Sequence, residues 1–274
     1  MNLEFKISYI LIGICLGSFS NVVRYRLPAK ESLITPSSYC NNCKKTLNWY
    51  DNIPILSWII INGKCRFCNW PIPLSYPLVE LTLGLIFALN CQALSYTKEE
   101  TFTKLIGISI FSTICFIASL IDLDLMIIPN SIILFGSIIG LSYNTITASD
   151  YNLLTALKAL CYFAFSGCLG FILLEIATFL IALIIKKQAF GFGDSKYLFF
   201  IGSWLGIKGM LLGLVLAIYI GGAISIFLIA LRVIRRKQKI PFGPYLSIGS
   251  YLVYLLGENT WARIFKAMYL INYQ

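Results

Sequence analysis

Uninterrupted apolar runs constrain this chain more than any other feature. A helix needs about 20 apolar residues to cross a bilayer, and the runs at 7–23, 74–94 and 153–185 approach or exceed that length. With 58% apolar and 12% charged residues, the chain is too apolar for a soluble domain of 274 residues. Lipid cannot satisfy exposed backbone groups, so helices are the expected spanning elements. We therefore predict an all-α polytopic membrane helical bundle rather than a β-barrel of short alternating strands.

The runs predict about eight transmembrane helices: 7–23, 74–94, 105–121, 128–143, 153–185, 195–206, 209–231 and 241–256. Alternating these spans places most of the 22 Lys and Arg residues in loops on one side of the membrane. That side is expected to be cytoplasmic. The net charge of +10 is thus explained by topology and by membrane lipid, and no nucleic acid partner is predicted.

Four segments are expected along the chain. The first helix occupies residues 1–23; it is not interpreted as a signal peptide, because basic residues follow it and no small-residue cleavage site is evident. A polar cytoplasmic insert covers 24–73, the main helical bundle covers 74–256, and a C-terminal tail covers 257–274.

The insert carries two Cys-x-x-Cys pairs, Cys40 with Cys43 and Cys65 with Cys68. Four thiolates at this spacing suit tetrahedral zinc. Two disulfides or redox pairs are the alternative, which a reducing cytoplasm disfavours. Since four protein ligands leave no open coordination position, the predicted zinc is structural. The five remaining cysteines fall in apolar runs and are expected to be buried: Cys15, Cys91, Cys115, Cys161 and Cys168.

The stretch Gly191-Phe192-Gly193-Asp194 stands where the chain re-enters the membrane. An acid in that position is costly and needs a reason. Paired with Asp122, it suggests peptide-bond hydrolysis by two carboxyl groups that share one proton. The glycines would leave room for a substrate backbone, although a flexible turn before a helix is the plain alternative. Asp194 at a helix N-terminus is expected to be the better base, and Asp122 at a helix C-terminus the better acid.

Other acids compete for these roles. Asp124 is the rival of Asp122, and we interpret it as a supporting or surface carboxylate. Glu80 and Glu175 also lie in apolar runs; Glu80 is expected to pair with a base such as Arg24, and Glu175 to make a buried polar contact. The chain has no histidine, so a His general base or metal ligand is excluded.

Ordered motifs now point to a family. They are Gly17-Ser18-Phe19-Ser20-Asn21-Val22-Val23 with Arg26-Leu27-Pro28; Pro36-Ser37-Ser38-Tyr39-Cys40; Asp51-Asn52-Ile53-Pro54; Gly63-Lys64-Cys65-Arg66; Tyr76-Pro77-Leu78-Val79-Glu80; Ile121-Asp122-Leu123-Asp124 with Ile128-Pro129-Asn130; Gly191-Phe192-Gly193-Asp194-Ser195-Lys196; and Pro241-Phe242-Gly243-Pro244. In this order the chain resembles the type IV prepilin leader peptidases, which are also N-methyltransferases. Two positions differ from many members: Asn41 replaces a proline and Asn130 replaces an aspartate.

The resemblance implies an intramembrane aspartyl protease of the GxGD type in the inner (plasma) membrane. Asp122 and Asp194 occupy its catalytic positions, with Gly191, Gly193, Lys196 and Asp124 as supporting residues. Its expected substrates are prepilins and pseudopilins, cut on the cytoplasmic side. The new N-terminus is expected to be methylated with S-adenosylmethionine, whose binding residues the motifs do not identify.

Two functions from other classes compete with this interpretation. A proton-coupled transporter would also hold intramembrane acids, but the internal repeat common in carriers is not evident. A non-catalytic assembly factor of a pilus or secretion machine would retain its function when Asp122 and Asp194 are changed to asparagine.

Overall fold

The structure, a computed structural model, describes residues 3–94, 101–148, 152–186, 191–235, 238, 240–257 and 260–261. Most of the predicted tail 257–274 and the polar loop with Lys98, Glu99 and Glu100 lie outside these residues. The described part is helical and carries only two isolated β-bridges. The all-α prediction is confirmed.

Eight α-helices are described: α1 (Leu3–Arg26), α2 (Leu56–Ile60), α3 (Ser75–Leu94), α4 (Thr101–Leu125), α5 (Asn130–Ala148), α6 (Leu153–Ile185), α7 (Phe192–Ala230) and α8 (Gly243–Leu256). Helix α2 lies in the polar insert. Six of the others, α1 and α3 to α7, are long and apolar enough to cross a membrane. They make the chain a multi-pass membrane protein.

Helix α7 contains two of the predicted spans. Its 39 residues would measure about 58 Å, close to twice the roughly 30 Å of a hydrocarbon core. Gly206 interrupts it with φ 68° and ψ −176°, a conformation that only glycine adopts readily. A Cβ at this position would also lie 2.9 Å from Tyr162 Cε1. The predicted turn near Gly206 is therefore a break inside one helix. When the two parts of α7 are counted separately, the number of described helical segments outside the insert approximates the predicted eight.

The chain divides into two compact units, Met1–Ser109 and Ile110–Gln274. In the first unit, α1 and α3 pack closely because glycines face the opposite helix: a Cβ at Gly13 would lie 2.8 Å from Phe87 Cβ, and one at Gly17 would lie 2.6 Å from Glu80 Cα. The four segments predicted from the sequence were defined by membrane topology and not by contacts between residues, so that division stays a prediction.

The second unit has an aromatic core in which Phe111 stacks on Phe200 with ring centroids 5.6 Å apart, next to Trp204. Large apolar side chains on its outer faces are exposed, as at Phe135 and Phe179. Such a surface suits contact with lipid. The prediction of burial is confirmed for two of the five cysteines outside the insert, Cys91 and Cys115, and is wrong for the other three, which are exposed: Cys15, Cys161 and Cys168.

Candidate active site and metal cluster

Asp122 lies in the last helical turn of α4, which continues to Leu125 rather than ending at 121 as predicted. Its side chain is 5% exposed. Oδ2 accepts a hydrogen bond of 2.9 Å from the backbone N–H of Gly243, at the start of α8. The carboxyl group at the end of one helix therefore satisfies an N–H at the start of another.

Asp194 lies in the first turn of α7. Its Oδ2 accepts a hydrogen bond of 2.9 Å from the N–H of Gly191, and its own N–H donates to the Gly191 carbonyl. The GFGD stretch is thus the N-terminal cap of the helix. Both aspartates accept from an N–H at a helix N-terminus, so the sequence argument for unequal acid and base roles no longer separates them.

Ile128 lies between the two helix ends. A Cβ built on Gly193 would be 3.8 Å from Ile128 Cβ, and one built on Gly243 would be 3.3 Å from Ile128 Cδ1. Asp122 accepts from Gly243 and Asp194 directly follows Gly193, so Ile128 links the two segments that carry the aspartates. The fold gathers both predicted catalytic carboxyl groups at one end of the second unit.

The predicted supporting residues differ in their environment. Asp124 is exposed, because two residues along a helix turn a side chain to the opposite side. Lys196 Nζ donates to Asn130 Oδ1 at 2.9 Å and lies 4.3 Å from the centroid of the Phe192 ring. This contact joins the start of α5 to the start of α7. Asn130, which stands where many members of the family have aspartate, thus contacts Lys196 of the second catalytic motif.

Glycine is not required by packing at either position of the GFGD stretch. A Cβ at Gly191 would meet Asp194 Oδ2 at 3.6 Å, and the nearest atoms to one at Gly193 are 3.8 Å away. Both are ordinary contact distances, and Gly191 has φ −81°, which any residue adopts. At Gly243, in contrast, a Cβ would lie 2.6 Å from Asp122 Oδ2.

A buried hydrogen-bond network behind Asp122 was not foreseen from the sequence. Ser247 Oγ donates to the carbonyl of Gly243 at 2.8 Å, and Tyr197 Oη lies 2.6 Å from the same Oγ. Ser119 Oγ donates to Ser247 at 2.7 Å. These groups hold Gly243, the residue whose N–H contacts Asp122. The Pro241-Phe242-Gly243-Pro244 motif was the available signal, but only the folded chain links it to Asp122.

The four insert cysteines form a cluster that could hold a metal ion, with all four Sγ atoms within 4.8 Å of one another. The two Cys-x-x-Cys turns have the same backbone: the carbonyl of Cys40 accepts from Lys44 N, and that of Cys65 accepts from Asn69 N. In the second turn, a hydrogen bond from the Trp70 N–H lowers the pKa of Cys68 to about 6. Cys68 is therefore ready to bind as a thiolate.

An ion pair between the half-exposed Arg66 and the buried Asp51 braces the second turn. Arg66 donates from Nε and Nη2 to Asp51 Oδ1 at 3.1 and 2.9 Å. Arg66 also lies over the ring of Tyr50, 5.3 Å from its centroid. The two sequence motifs of the insert that contain Asp51 and Arg66 are thus in contact beside Cys65.

Two family models match the chain. The Bacterial Peptidase A24 N-terminal domain matches residues 11–94, and the Type IV leader peptidase family matches residues 109–226. The first range holds the cysteine cluster and the second holds both catalytic candidates. No solved structure matches the chain at a significant level.

Similar curated proteins carry the name prepilin leader peptidase/N-methyltransferase. The one from Aeromonas hydrophila is 29% identical over 91% of this chain and 90% of its own length. That from Pseudomonas aeruginosa is 28% identical over 94% of this chain and 92% of its own. That from Myxococcus xanthus is 32% identical over 82% of this chain and 63% of its own.

Proposed function

The chain belongs to the type IV leader peptidase family, and we propose that it cleaves the leader peptides of type IV prepilins and pseudopilins and then N-methylates the new N-terminus. The observation that carries the proposal is the placement of Asp122 and Asp194 at one end of the second unit, from two different helices. The name shared by the similar proteins supports both activities.

In the proposed hydrolysis, Asp122 and Asp194 share one proton. The ionised carboxylate takes a proton from water as the water oxygen bonds to the scissile carbonyl carbon. The protonated carboxyl group donates to the carbonyl oxygen, and the amine then leaves with a proton as the carbon–nitrogen bond breaks. The contacts of Gly243 with Asp122 and of Gly191 with Asp194 support this scheme, because they fix one oxygen of each carboxyl group.

The substrate backbone is proposed to pass the GFGD turn. Packing does not require glycine at Gly191 or Gly193, so the absence of side chains there is better explained by an extended peptide that must approach Asp194 closely. Lys196 is proposed as a supporting residue that fixes the start of α7 through Asn130.

The metal proposed for the cysteine cluster is zinc. A tetrahedral zinc with bonds of about 2.3 Å would place its sulfur ligands roughly 3.8 Å apart, and Sγ of Cys40 lies 3.8 Å from Sγ of Cys68. A disulfide would need about 2.05 Å. Cys43 and Cys65 complete the four ligands, so the metal would stabilise the insert and take no part in hydrolysis.

S-adenosylmethionine is the proposed methyl donor, and it supplies a methyl group on a positively charged sulfonium. The new amino group of the pilin, in its neutral form, takes this methyl group, the sulfur keeps the electron pair of the broken bond, and the surplus proton passes to water. The protein is proposed to lie in the inner membrane with the insert and both aspartates on the cytoplasmic side, where most loop Lys and Arg residues are found.

The test is the mass of a co-expressed prepilin in cells that carry wild type, Asp122→Asn or Asp194→Asn. Wild type is expected to produce pilin that lacks its leader and carries one added methyl group, and both variants are expected to leave the precursor intact. A precursor that stays intact with wild type, while the enzyme is present in the membrane, would reject the proposed function. A shortened but unmethylated pilin would reject methyl transfer alone.

A further inference from the structure

Glu80 is a buried acid that the proposed hydrolysis does not use. It lies in the second turn of α3, 7% exposed, in the unit that does not contain Asp122 and Asp194. Its Oε2 accepts a hydrogen bond of 2.7 Å from the N–H of Ile55. A neutral amide could accept the same bond, so this contact alone does not explain a negative charge near the membrane.

The Ile55 contact also shows that Glu80 holds strained backbone. Ile55 has φ 63° and ψ −54°, and the N–H of Leu56 donates to the carbonyl of Pro54 at 2.6 Å. This is a γ-turn of the rare form. Such conformations persist only where neighbouring groups fix them, and Glu80 is the side chain that does so here.

Asn21 of α1 has an unused acceptor about one helical turn from the place where α1 meets Glu80. Its Nδ2 donates to the carbonyl of Tyr76 at 3.2 Å, its side chain is 3% exposed, and its Oδ1 has no hydrogen-bond partner. A buried acceptor without a donor is destabilising, because the hydrogen bonds that it made to water are not replaced. Such an oxygen is best explained by a ligand that brings the donor.

Asn21 and Glu80 belong to successive contacts along the packing of α1 against α3. Gly17 faces Glu80 and Asn21 faces Tyr76, so the two contacts are one helical turn apart, roughly 5–6 Å. The Ser18 hydroxyl also interacts with Glu80. We call Ser18, Asn21 and Glu80 the acceptor cluster: it offers a carboxylate, an amide oxygen and a hydroxyl within about one helical turn.

An aromatic pair flanks the acceptor cluster. The rings of Tyr25 and Tyr76 stack with centroids 5.6 Å apart, and Tyr25 is exposed on its outer face. Because the Arg24 guanidinium already lies over the Tyr25 ring, 5.3 Å from its centroid, this flat, π-rich surface suits an uncharged purine ring rather than a second cation.

We propose that the acceptor cluster binds the cationic half of S-adenosylmethionine. Glu80 would balance its positive charge, and Asn21 Oδ1 would accept a hydrogen bond from its α-ammonium. This inference rests on the proposed methyl transfer and places the methyl donor in the unit that lacks the hydrolytic aspartates. The unpartnered Asn21 oxygen is the observation that the ligand explains.

Glu80→Gln separates charge from structure, because glutamine keeps an oxygen for the Ile55 N–H. Purified full-length protein is titrated with radiolabelled S-adenosylmethionine at equilibrium, without pilin. The dissociation constant is expected to rise at least about tenfold, as for the loss of one charge-assisted contact, while the rate of prepilin cleavage stays at the wild-type value. Glu175→Gln, which neutralises a half-buried acid of α6 in the other unit, is the matched control and is expected to bind like wild type.

Titration with S-adenosylhomocysteine, which keeps the ammonium and lacks the sulfonium, identifies the group that Glu80 faces. A loss of affinity that is equal for both ligands assigns the ammonium to Glu80, and a larger loss for S-adenosylmethionine assigns the sulfonium. Either result supports the cluster.

Asn21→Leu provides a second variant should Glu80→Gln unfold. Leucine has a similar size and removes both the unpartnered oxygen and the Nδ2 hydrogen bond to Tyr76. Because these two losses have opposite effects on stability, the thermal unfolding temperature is expected to stay near the wild-type value while S-adenosylmethionine binding weakens. Wild-type affinity in both folded variants would overturn the inference and leave methyl transfer standing. If wild type itself binds no S-adenosylmethionine, the methyl-transfer proposal falls, and this inference falls with it.

Discussion

Gly243→Ala tests whether the start of α8 positions the Asp122 carboxyl group. The added Cβ would lie 2.6 Å from Asp122 Oδ2, whereas ordinary contacts begin at 3.4 Å. The carboxyl group must therefore move by about 0.8 Å. A misplacement of about 1 Å at a reacting group costs on the order of 100-fold in rate. We expect kcat/KM for cleavage to fall by roughly that factor.

The assay is the initial rate of cleavage of a prepilin by purified enzyme, with the thermal unfolding temperature measured in parallel. Gly222→Ala is the control, because a Cβ there meets no atom within 4 Å. It is expected to cleave like wild type and to gain up to about 1 kcal/mol from better helix propensity. If Gly243→Ala cleaves as fast as Gly222→Ala, the contact between α8 and Asp122 has no catalytic importance.

Three further predictions concern the GFGD turn, the metal of the cysteine cluster and the hydrogen-bond network around Ser247. Gly193→Ala is expected to fold normally, because the nearest atom lies at 3.8 Å, but to raise KM for prepilin; an unchanged KM would reject the proposed substrate path. Elemental analysis is expected to find about one zinc atom per wild-type chain. Cys43→Ser is expected to lose this zinc, and its insert should become sensitive to protease. Protease resistance without metal would show that the insert folds without zinc. Ser247→Ala is expected to slow cleavage by about 5- to 10-fold, because Gly243 loses the hydrogen bond that Ser247 donates to its carbonyl. Tyr197→Phe, which removes the contact of Tyr197 with Ser247, is expected to have a similar effect. Wild-type rates in both variants would show that the network does not position Asp122.

The sequence predicted the helices well, since lipid leaves few alternatives to a long apolar helix. It also predicted the break near Gly206, where glycine marks a backbone conformation other residues avoid. It missed the last turn of α4, because Asp122 and Asp124 together resemble a polar loop. This last turn places Asp122 and Asp124 on opposite sides of α4, which explains why Asp122 is buried and Asp124 is exposed.

The contacts that complete the site were beyond the sequence because they join distant positions. Asp122 and Gly243 are 121 residues apart, and the motif around Gly243 carries no sign of its partner. Glu80 accepts a hydrogen bond from the backbone N–H of Ile55, a group that no sequence pattern distinguishes. The unpartnered oxygen of Asn21 is likewise visible only after the helices are packed.

The most direct measurement compares the cleavage rates of four variants: Asp122→Asn, Asp194→Asn, the double variant and Asp124→Asn. The comparison decides whether Asp122 and Asp194 form one catalytic unit. Residues that act as a unit are not additive. Each single variant is therefore expected to be as inactive as the double variant, and Asp124→Asn is expected to cleave within a few-fold of wild type. Residual cleavage by Asp122→Asn, or an inactive Asp124→Asn, would show that the carboxyl group at the end of α4 is not the partner of Asp194.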